Sequence, residues 1–227
     1  MSRQPGAVLW DMDGTLVDTE PYWMDAETRL VESFGGSWSH EDALQLVGNG
    51  LEDSAKILQD AGVELDAVAI IDRLTDTVQE LLRTDGVPFR PGARELLQDL
   101  RVAGIRTGLV TMSLRRMALG VVDLLGFEAF DVVVAGDDVD KPKPHPEPYL
   151  QAAALLGIDT AEAVVIEDSP TGLGAGIASG AVVLGVPHIV PLDGRGAHEL
   201  WPTLSGRSAA DLVDLFARHT SLTGATR

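Results

Sequence analysis

The chain contains no cysteine in 227 residues. That removes thiol nucleophiles, cysteine metal sites and disulfides at once, and it fits a cytoplasmic protein. Basic residues are scarce too: 17 Lys and Arg face 35 Asp and Glu, for a formal net charge of −18. Such a surface argues against nucleic-acid and anionic-membrane partners. It weighs mildly against an anionic substrate, unless a bound divalent cation and a few local Lys or Arg reverse the field. No apolar run reaches membrane-spanning length, and no basic-then-apolar signal opens the chain. The five histidines lack zinc spacing, and no Gly-x-Ser-x-Gly elbow occurs. The string from Gly172 to Gly176 hints at a dinucleotide loop, but its third glycine would fall at Ile177. Those small residues therefore read as close helix packing. No internal repeat is present.

What the chain does have is 45% hydrophobic residues and enough length for one large domain or two small ones with a sizeable core. One stretch organises it. Ala7, Val8, Leu9 and Trp10 run into Asp11 and Asp13, followed by Gly14 and Thr15. Four apolar residues ended by charge predict a buried strand near 7–11 that emerges at a sheet edge. Two carboxylates spaced i, i+2 point the same way along a strand, and leaving both ionised needs a cation or a shared proton. The alternative is a solvated turn; an EF-hand fits poorly, because the glycine falls at position 4 of the loop.

The pattern then turns helical. Tyr22, Ala26, Leu30 and Phe34 recur every fourth residue, and Gly35 and Gly36 stop the run. Ser39 with Asp42 forms a capping-box pattern, and Gly48, Asn49 and Gly50 break that helix. A helix over 52–60 follows, then a longer one from Asp66 with Val68, Ile71, Leu74, Val78 and Leu81 on one face. Residues 20–87 thus read as an all-helical insert, leaving through the proline-rich linker Val87–Gly92. Beyond it helices and strands alternate: helix to Gly104, strand 106–111, helix 114–125, strand 132–134, helix 146–156, strand 163–166, helix 171–179 and an apolar run at 181–186. Residues 191–207 read as loop, and a terminal helix spans 208–218. Strands apolar on both faces and separated by helices predict a doubly wound parallel α/β sheet. The expected domains are an α/β core of residues 1–19 and 88–227 and a helical unit of 20–87.

Four predicted strands end in polar residues: Asp11, Thr111, Asp137 with Asp138, and Glu167 with Asp168 and Ser169. Ligands of doubly wound sheets bind at such ends; the plain alternative is that polar residues mark where strands reach water. The residue types favour Mg²⁺ and phosphate. Carboxylates suit a hard cation that also binds phosphoryl oxygen, a threonine hydroxyl can donate to that oxygen, and a lysine can neutralise it. Lys143 lies in a run with proline at 142, 144, 146 and 148, stiff enough to place it accurately. A rigid surface loop with solvated lysines is the other reading. Arg115 and Arg116 read as a solvated helix start, with one of them facing phosphate as the alternative, and Trp23 as helical core or substrate wall.

These residues carry a resemblance. Asp11-x-Asp13-Gly-Thr, Thr111 after an apolar strand, Lys143 in its proline-flanked run, and Glu167-Asp168-Ser169-Pro170-x-Gly172 are similar to the four ordered motifs of the haloacid dehalogenase (HAD) superfamily. The helical insert resembles the cap of the branch that holds phosphoglycolate phosphatases, sugar-phosphate phosphatases and β-phosphoglucomutases. The resemblance implies a Rossmann-like core with a mobile cap, Mg²⁺ as cofactor, and a small phosphorylated metabolite as substrate, in a monomer or weak homodimer. It implies Asp11 as nucleophile and Asp13 as acid and base. Mg²⁺ would be held by Asp11, the backbone carbonyl of Asp13 and Asp168, with Glu167 binding directly or through water. Thr111 and Ser113 would contact the phosphoryl group, and Lys143, with Lys141 as the competing choice, would pair with Asp11. Glu20, Gly48 and Asn49 would read the substrate. Phosphatase is the expected activity and phosphosugar mutase the alternative, with a non-enzymatic interaction module a distant third. Against the mutase, Trp23 stands where β-phosphoglucomutases carry a cap histidine, and Val47 and Leu51 stand where they carry a lysine and an arginine.

Overall fold

The computed structural model describes residues 4–47 and 49–220. Gly48 and both chain ends lie outside the described residues. Six strands form one parallel sheet: β1 (Ala7–Trp10), β2 (Arg106–Val110), β3 (Val132–Val134), β4 (Ala163–Glu167), β5 (Val182–Gly185) and β6 (Glu199–Leu200), in the order β3-β2-β1-β4-β5-β6. The chain builds outward from β1 on one side, then returns to pair β4 with the other side of β1. That reversal is the point where doubly wound sheets open a crevice beyond their carboxyl ends. The register sets Trp10 opposite Leu109 on one side and Ile166 on the other. The residues just past these strand ends are therefore neighbours.

The pleat divides the core. Val8, Trp10, Val164, Ile166, Val182 and Leu184 face one way, and Ala7, Leu9, Ala163, Val165 and Val183 the other. Helices α5 (Ala93–Val102), α6 (Arg115–Leu125) and α9 (Ala209–Thr220) cover the first face. Helices α7 (Glu147–Leu156) and α8 (Pro170–Ser179) cover the second. In α8 the small residues act as the sequence suggests: a Cβ on Gly176 would press on Val165 and Val183 at 3.0 Å. Two residues of the 191–207 stretch, expected as loop, form the short edge strand β6. Two 3-10 turns, Gly136–Asp138 and Thr160–Glu162, also escaped the sequence pattern.

Between β1 and β2 lie four helices: α1 (Glu20–Ser33), α2 (His40–Leu44), α3 (Leu51–Asp60) and α4 (Ala67–Thr84). Pro21 opens α1. Ser39 and Asp42 make the reciprocal capping box at α2, and the Asp66 carboxylate accepts from Ala69 N at the start of α4. The buried stripe of α4 is Ile70, Leu74, Val78, Leu81 and Leu82, with Val68 70% exposed. The expected face was one residue out of phase at its N-terminal end, because Ile70 and Ile71 both satisfy a 3.6-residue period there. This helical layer merges with the sheet core through α4 and α6, where Arg116 pairs with Asp72 at 2.9 Å, with Asp76, and with Gln79 Oε1 at 2.9 Å. Arg115 turns instead to Asp138. No described helix is long and apolar enough to cross a membrane.

The two strands of chain that join the helical layer to the sheet are tied together. Asp18 N donates to Pro88 O at 2.7 Å and Arg90 N to Leu16 O at 2.9 Å. His188 bridges them, with Nδ1 2.7 Å from Arg90 Nη1 and Nε2 2.8 Å from Asp18 Oδ1. Just after Arg90 the backbone enters the left-handed region at Gly92, with φ 82°. A Cβ built there would stand 2.2 Å from the Leu204 carbonyl carbon. Gly92→Ala should therefore lower stability by about 2–4 kcal/mol, from strained φ and backbone overlap together. Urea unfolding should show this as an earlier midpoint; a loss below about 0.5 kcal/mol, the ordinary surface range, would contradict the packing described.

Candidate active site

Asp11 follows β1, its amide donating to Ile166 O at 3.1 Å, so the carboxylate sits on the sheet's continuation rather than on a free loop. Gly14 turns the chain at φ 87°. A Cβ there would overlap the Asp168 carboxylate at 2.1 Å, so only glycine lets this turn approach β4's end. Thr15 Oγ1 then donates to Asp168 Oδ1 at 3.1 Å. Gly172 does the same on the other side, where a Cβ would fall within 2.0 Å of the Glu167 carboxylate.

Lys143 reaches into this gap. Its ammonium donates to Asp11 Oδ1 at 2.7 Å, Glu167 Oε1 at 2.7 Å and Val110 O at 2.9 Å. Three acceptors use all three of its protons. The side chain is 4% exposed, and Lys141 lies on the surface. Burial works against the charged lysine, yet Asp11 and Glu167 outweigh it and hold the ammonium above its ordinary range. Tyr149, on α7, adds a hydroxyl donated to Glu167 Oε1 at 2.6 Å, and Ser169 Oγ donates to Glu167 Oε2 at 3.2 Å. Glu167 is thus fully buried with both oxygens engaged. Tyr149 is a participant the sequence reading missed; its place in the apolar first turns of α7 reads as ordinary core.

Asp11, Glu167 and Asp168 offer ligand atoms all within 4.8 Å of one another. When all three carboxylates are ionised, one ammonium leaves the cluster two charges short of neutrality, which a divalent cation matches. Asp11 Oδ2 is buried with no hydrogen-bond partner. Burial first, then Glu167, push the Asp11 carboxyl up to about 7 despite Lys143. Asp168 is also pushed well up, by burial and then Asp11. An all-oxygen set with an orphaned oxygen fits Mg²⁺.

Asp13 is gripped from two sides. Its Oδ1 accepts from Thr19 Oγ1 at 2.5 Å and Trp23 Nε1 at 3.4 Å; Oδ2 accepts from Ser113 Oγ at 2.7 Å and Thr111 Oγ1 at 3.3 Å. The loop after β2 thus brings both hydroxyls to the β1 carboxylates. A cavity of about 280 Å³ opens above them, lined by Asp11, Asp13, Thr111, Ser113, Lys143 and Asp168 below. Helical-layer residues Glu20, Trp23, Glu27, Val47, Asn49 and Leu51 complete its walls. So Glu20 and Asn49 reach the cavity as expected, Trp23 is wall, and the expected Gly48 lies outside the described residues. Asp137 and Asp138 are the exception among the strand ends. Asp137 accepts from Arg115 N, Asp138 pairs with the Arg115 guanidinium, and neither reaches the cavity. The 3-10 turn after β3 carries them sideways to start α6.

Among known proteins, the family profile for haloacid dehalogenase-like hydrolases matches residues 5–180. The chain belongs to that family. A phosphorylated carbohydrates phosphatase from Thermotoga maritima is 32% identical over 184 residues, 80% of this chain and 85% of that protein. Hexitol phosphatase A of Escherichia coli is 34% identical over 185 residues, covering 78% of this chain and 81% of the relative. A crystal structure of a CbbY variant from Rhodobacter sphaeroides, in complex with xylulose-(1,5)bisphosphate, superposes with a TM-score of 0.81 at 27% identity, covering 89% of this chain and 96% of that one.

Glu27 carries a measurable signature. Burial chiefly, with a smaller contribution from Glu20, pushes its carboxyl up to about 8 against a Trp38 hydrogen bond that lowers it. The unfolded chain releases that proton near the ordinary 4.5, so the fold binds one more proton between the two values. Stability is then lost as pH rises through that window. Glu27→Gln should gain stability over the native protein progressively from about pH 5 to pH 8, with no gain near pH 4.5. Urea midpoints of the two proteins across that range test it; a pH-independent difference would contradict a protonated Glu27.

Proposed function

We propose that this hydrolase removes a phosphate from a small phosphorylated metabolite in the cytoplasm, through an aspartyl-phosphate on Asp11 and with Mg²⁺. The observation that carries the reading is Asp11 itself: one oxygen on Lys143 and the other unpartnered, at the floor of a cavity sized for a small molecule. Asp11 attacks phosphorus and the ester P–O bond breaks, with Asp13 giving its proton to the departing oxygen. Asp13 then takes a proton from water, which attacks phosphorus and frees Asp11. Thr111 and Ser113 donate to the phosphoryl oxygens, and Lys143 offsets the charge that develops on them and on Asp11. Asp11, the Asp13 carbonyl and Asp168 would hold Mg²⁺, which when bound would neutralise phosphoryl charge. Glu167, with both oxygens engaged, fits a contact through water and the orientation of Lys143. Residues 20–87 would serve as a cap that closes over the substrate and excludes water.

Hydrolysis is favoured over mutase chemistry by the cavity wall. A phosphosugar mutase must hold a second phosphate on its substrate, and among the described lining residues Lys143 is the only Lys or Arg. Val47 and Leu51, where the mutases this chain resembles carry a lysine and an arginine, line the cavity with aliphatic groups that cannot receive it. Incubation with β-glucose 1-phosphate, a bisphosphate activator and Mg²⁺ should yield no isomer, while some phosphate monoester releases inorganic phosphate and stops doing so in chelator. Efficient formation of glucose 6-phosphate would overturn the hydrolase reading, and undiminished turnover in excess chelator the metal.

A further inference from the structure

The chain has no cysteine, so an oxidant that reaches it finds no thiol. Methionine is then the softest side chain on offer. Of the five methionines, Met1 lies outside the described residues, and Met12 and Met117 are fully buried. Met24, on α1, and Met112 are half-buried. Among these described methionines Met112 alone lines the cavity, and it stands between Thr111 and Ser113, whose hydroxyls hold Asp13. Its sulfur accepts a hydrogen bond from the Lys143 amide at 3.3 Å. A thioether is a weak acceptor, so the segment that carries the buried ammonium is held by a bond that a hydroxyl or amide oxygen would make better. The same sulfur takes up an oxygen atom.

We infer that Met112 is an oxidation site, and that its sulfoxide unseats Lys143 and turns the active site off. The reagent class is a hydroperoxide, of which hydrogen peroxide is the simplest. A sulfur lone pair takes one peroxide oxygen and the O–O bond breaks. The proton that oxygen carried passes to the departing hydroxide, which leaves as water. Sulfur is oxidised by two electrons and the peroxide reduced by two. An oxygen inserted between sulfur and amide needs a hydrogen-bond length of about 2.9 Å to nitrogen besides its own bond to sulfur, so the two must part by up to about 1 Å. The Met112 backbone cannot absorb that. Thr111 N donates to Val134 O at 3.0 Å, Gly136 N donates to Ser113 O at 2.9 Å, and a Cβ on Gly136 would stand 2.3 Å from Met112 O. Swinging the oxygen into the cavity would leave the Lys143 amide without its partner. The sulfoxide oxygen therefore keeps the amide, and the Lys143 segment gives way and draws the ammonium from Asp11 and Glu167. A misplacement of about 1 Å can cost about a hundredfold in rate. Methionine sulfoxide reductases remove the oxygen, so the loss is reversible. The effect on rate rests on the phosphomonoesterase reading above; the place of oxidation does not.

Native protein, Met112→Leu and Met24→Leu are treated with hydrogen peroxide in chelator, desalted, and assayed on p-nitrophenyl phosphate with Mg²⁺, each against its own untreated rate. Peptide mass spectrometry follows the added oxygen, and urea unfolding follows stability. In native protein and Met24→Leu the first oxygen should fall on Met112, with the rate dropping about tenfold or more in step with it and the urea midpoint moving earlier. Methionine sulfoxide reductase with dithiothreitol should restore both. Met112→Leu, close to methionine in volume, should keep most of its own starting rate and its midpoint. Oxygen on Met24 ahead of Met112, a full rate with Met112 oxidised, or an equal loss in Met112→Leu would overturn the inference and leave the phosphatase standing. If untreated native protein turned over no aryl phosphate, the phosphomonoesterase reading would fall by itself. The peptide map and the midpoints would then decide this inference: Met112 first with an earlier midpoint upholds it, and any other order or an unmoved midpoint sinks it.

Discussion

One buried ammonium holds the site together. Lys143 lies between Asp11 and Glu167, and without it two desolvated carboxylates would face each other beside a third, Asp168. Breaking a buried pair by removing one partner typically costs about 3–5 kcal/mol, a large share of a domain's total stability of about 5–15 kcal/mol. The clustered carboxylates and the orphaned Asp11 oxygen do not serve stability, and they suit the cation and phosphoryl group proposed for the site. Neighbouring structure follows from this constraint. Gly14 and Gly172 have no side chain because the Asp168 and Glu167 carboxylates occupy the space, and Tyr149 is placed to satisfy the oxygen of Glu167 that Lys143 also uses.

The sheet order delivers these groups. With β1 central and β2 and β4 in register beside it, Asp11, Thr111 and Glu167 come from three distant parts of the chain to one edge. The helical layer adds the opposite wall, tied to the sheet by the Arg116 cluster and by the His188 bridge between the two connecting segments. Both ties are polar, and beside them the layer shares one apolar cluster with the sheet core.

Much of this was legible in the sequence because rigid requirements leave local marks. An apolar run broken by Asp11 and Asp13 read as a buried strand with an exposed end, against a solvated turn, and the order of strands and helices implied a parallel sheet. Lys143 was readable from its proline-flanked run. What escaped depended on contacts between distant residues. Tyr149 and Glu27 sit at helical positions where any core residue would look the same. Asp137 and Asp138 ended a strand as Asp11 and Glu167 do, but the short 3-10 turn after β3 diverts them to Arg115. The phase of α4 was ambiguous wherever two adjacent isoleucines competed for one face. The two-residue edge strand β6 is too short for any alternation to register.

The central claim is that Asp11 is transiently phosphorylated and that Asp13 moves the protons. Rapid mixing of an Asp13→Asn variant with p-nitrophenyl phosphate and Mg²⁺ addresses both at once, since a good leaving group needs little protonation in the first step while water still needs a base in the second. The account predicts a burst of roughly one equivalent of p-nitrophenol per protein followed by slow turnover, with a phosphoryl group recovered on the peptide containing Asp11 after acid quench. Linear turnover without a burst and without a phosphorylated peptide, or a phosphoryl group found on any other residue, would contradict it.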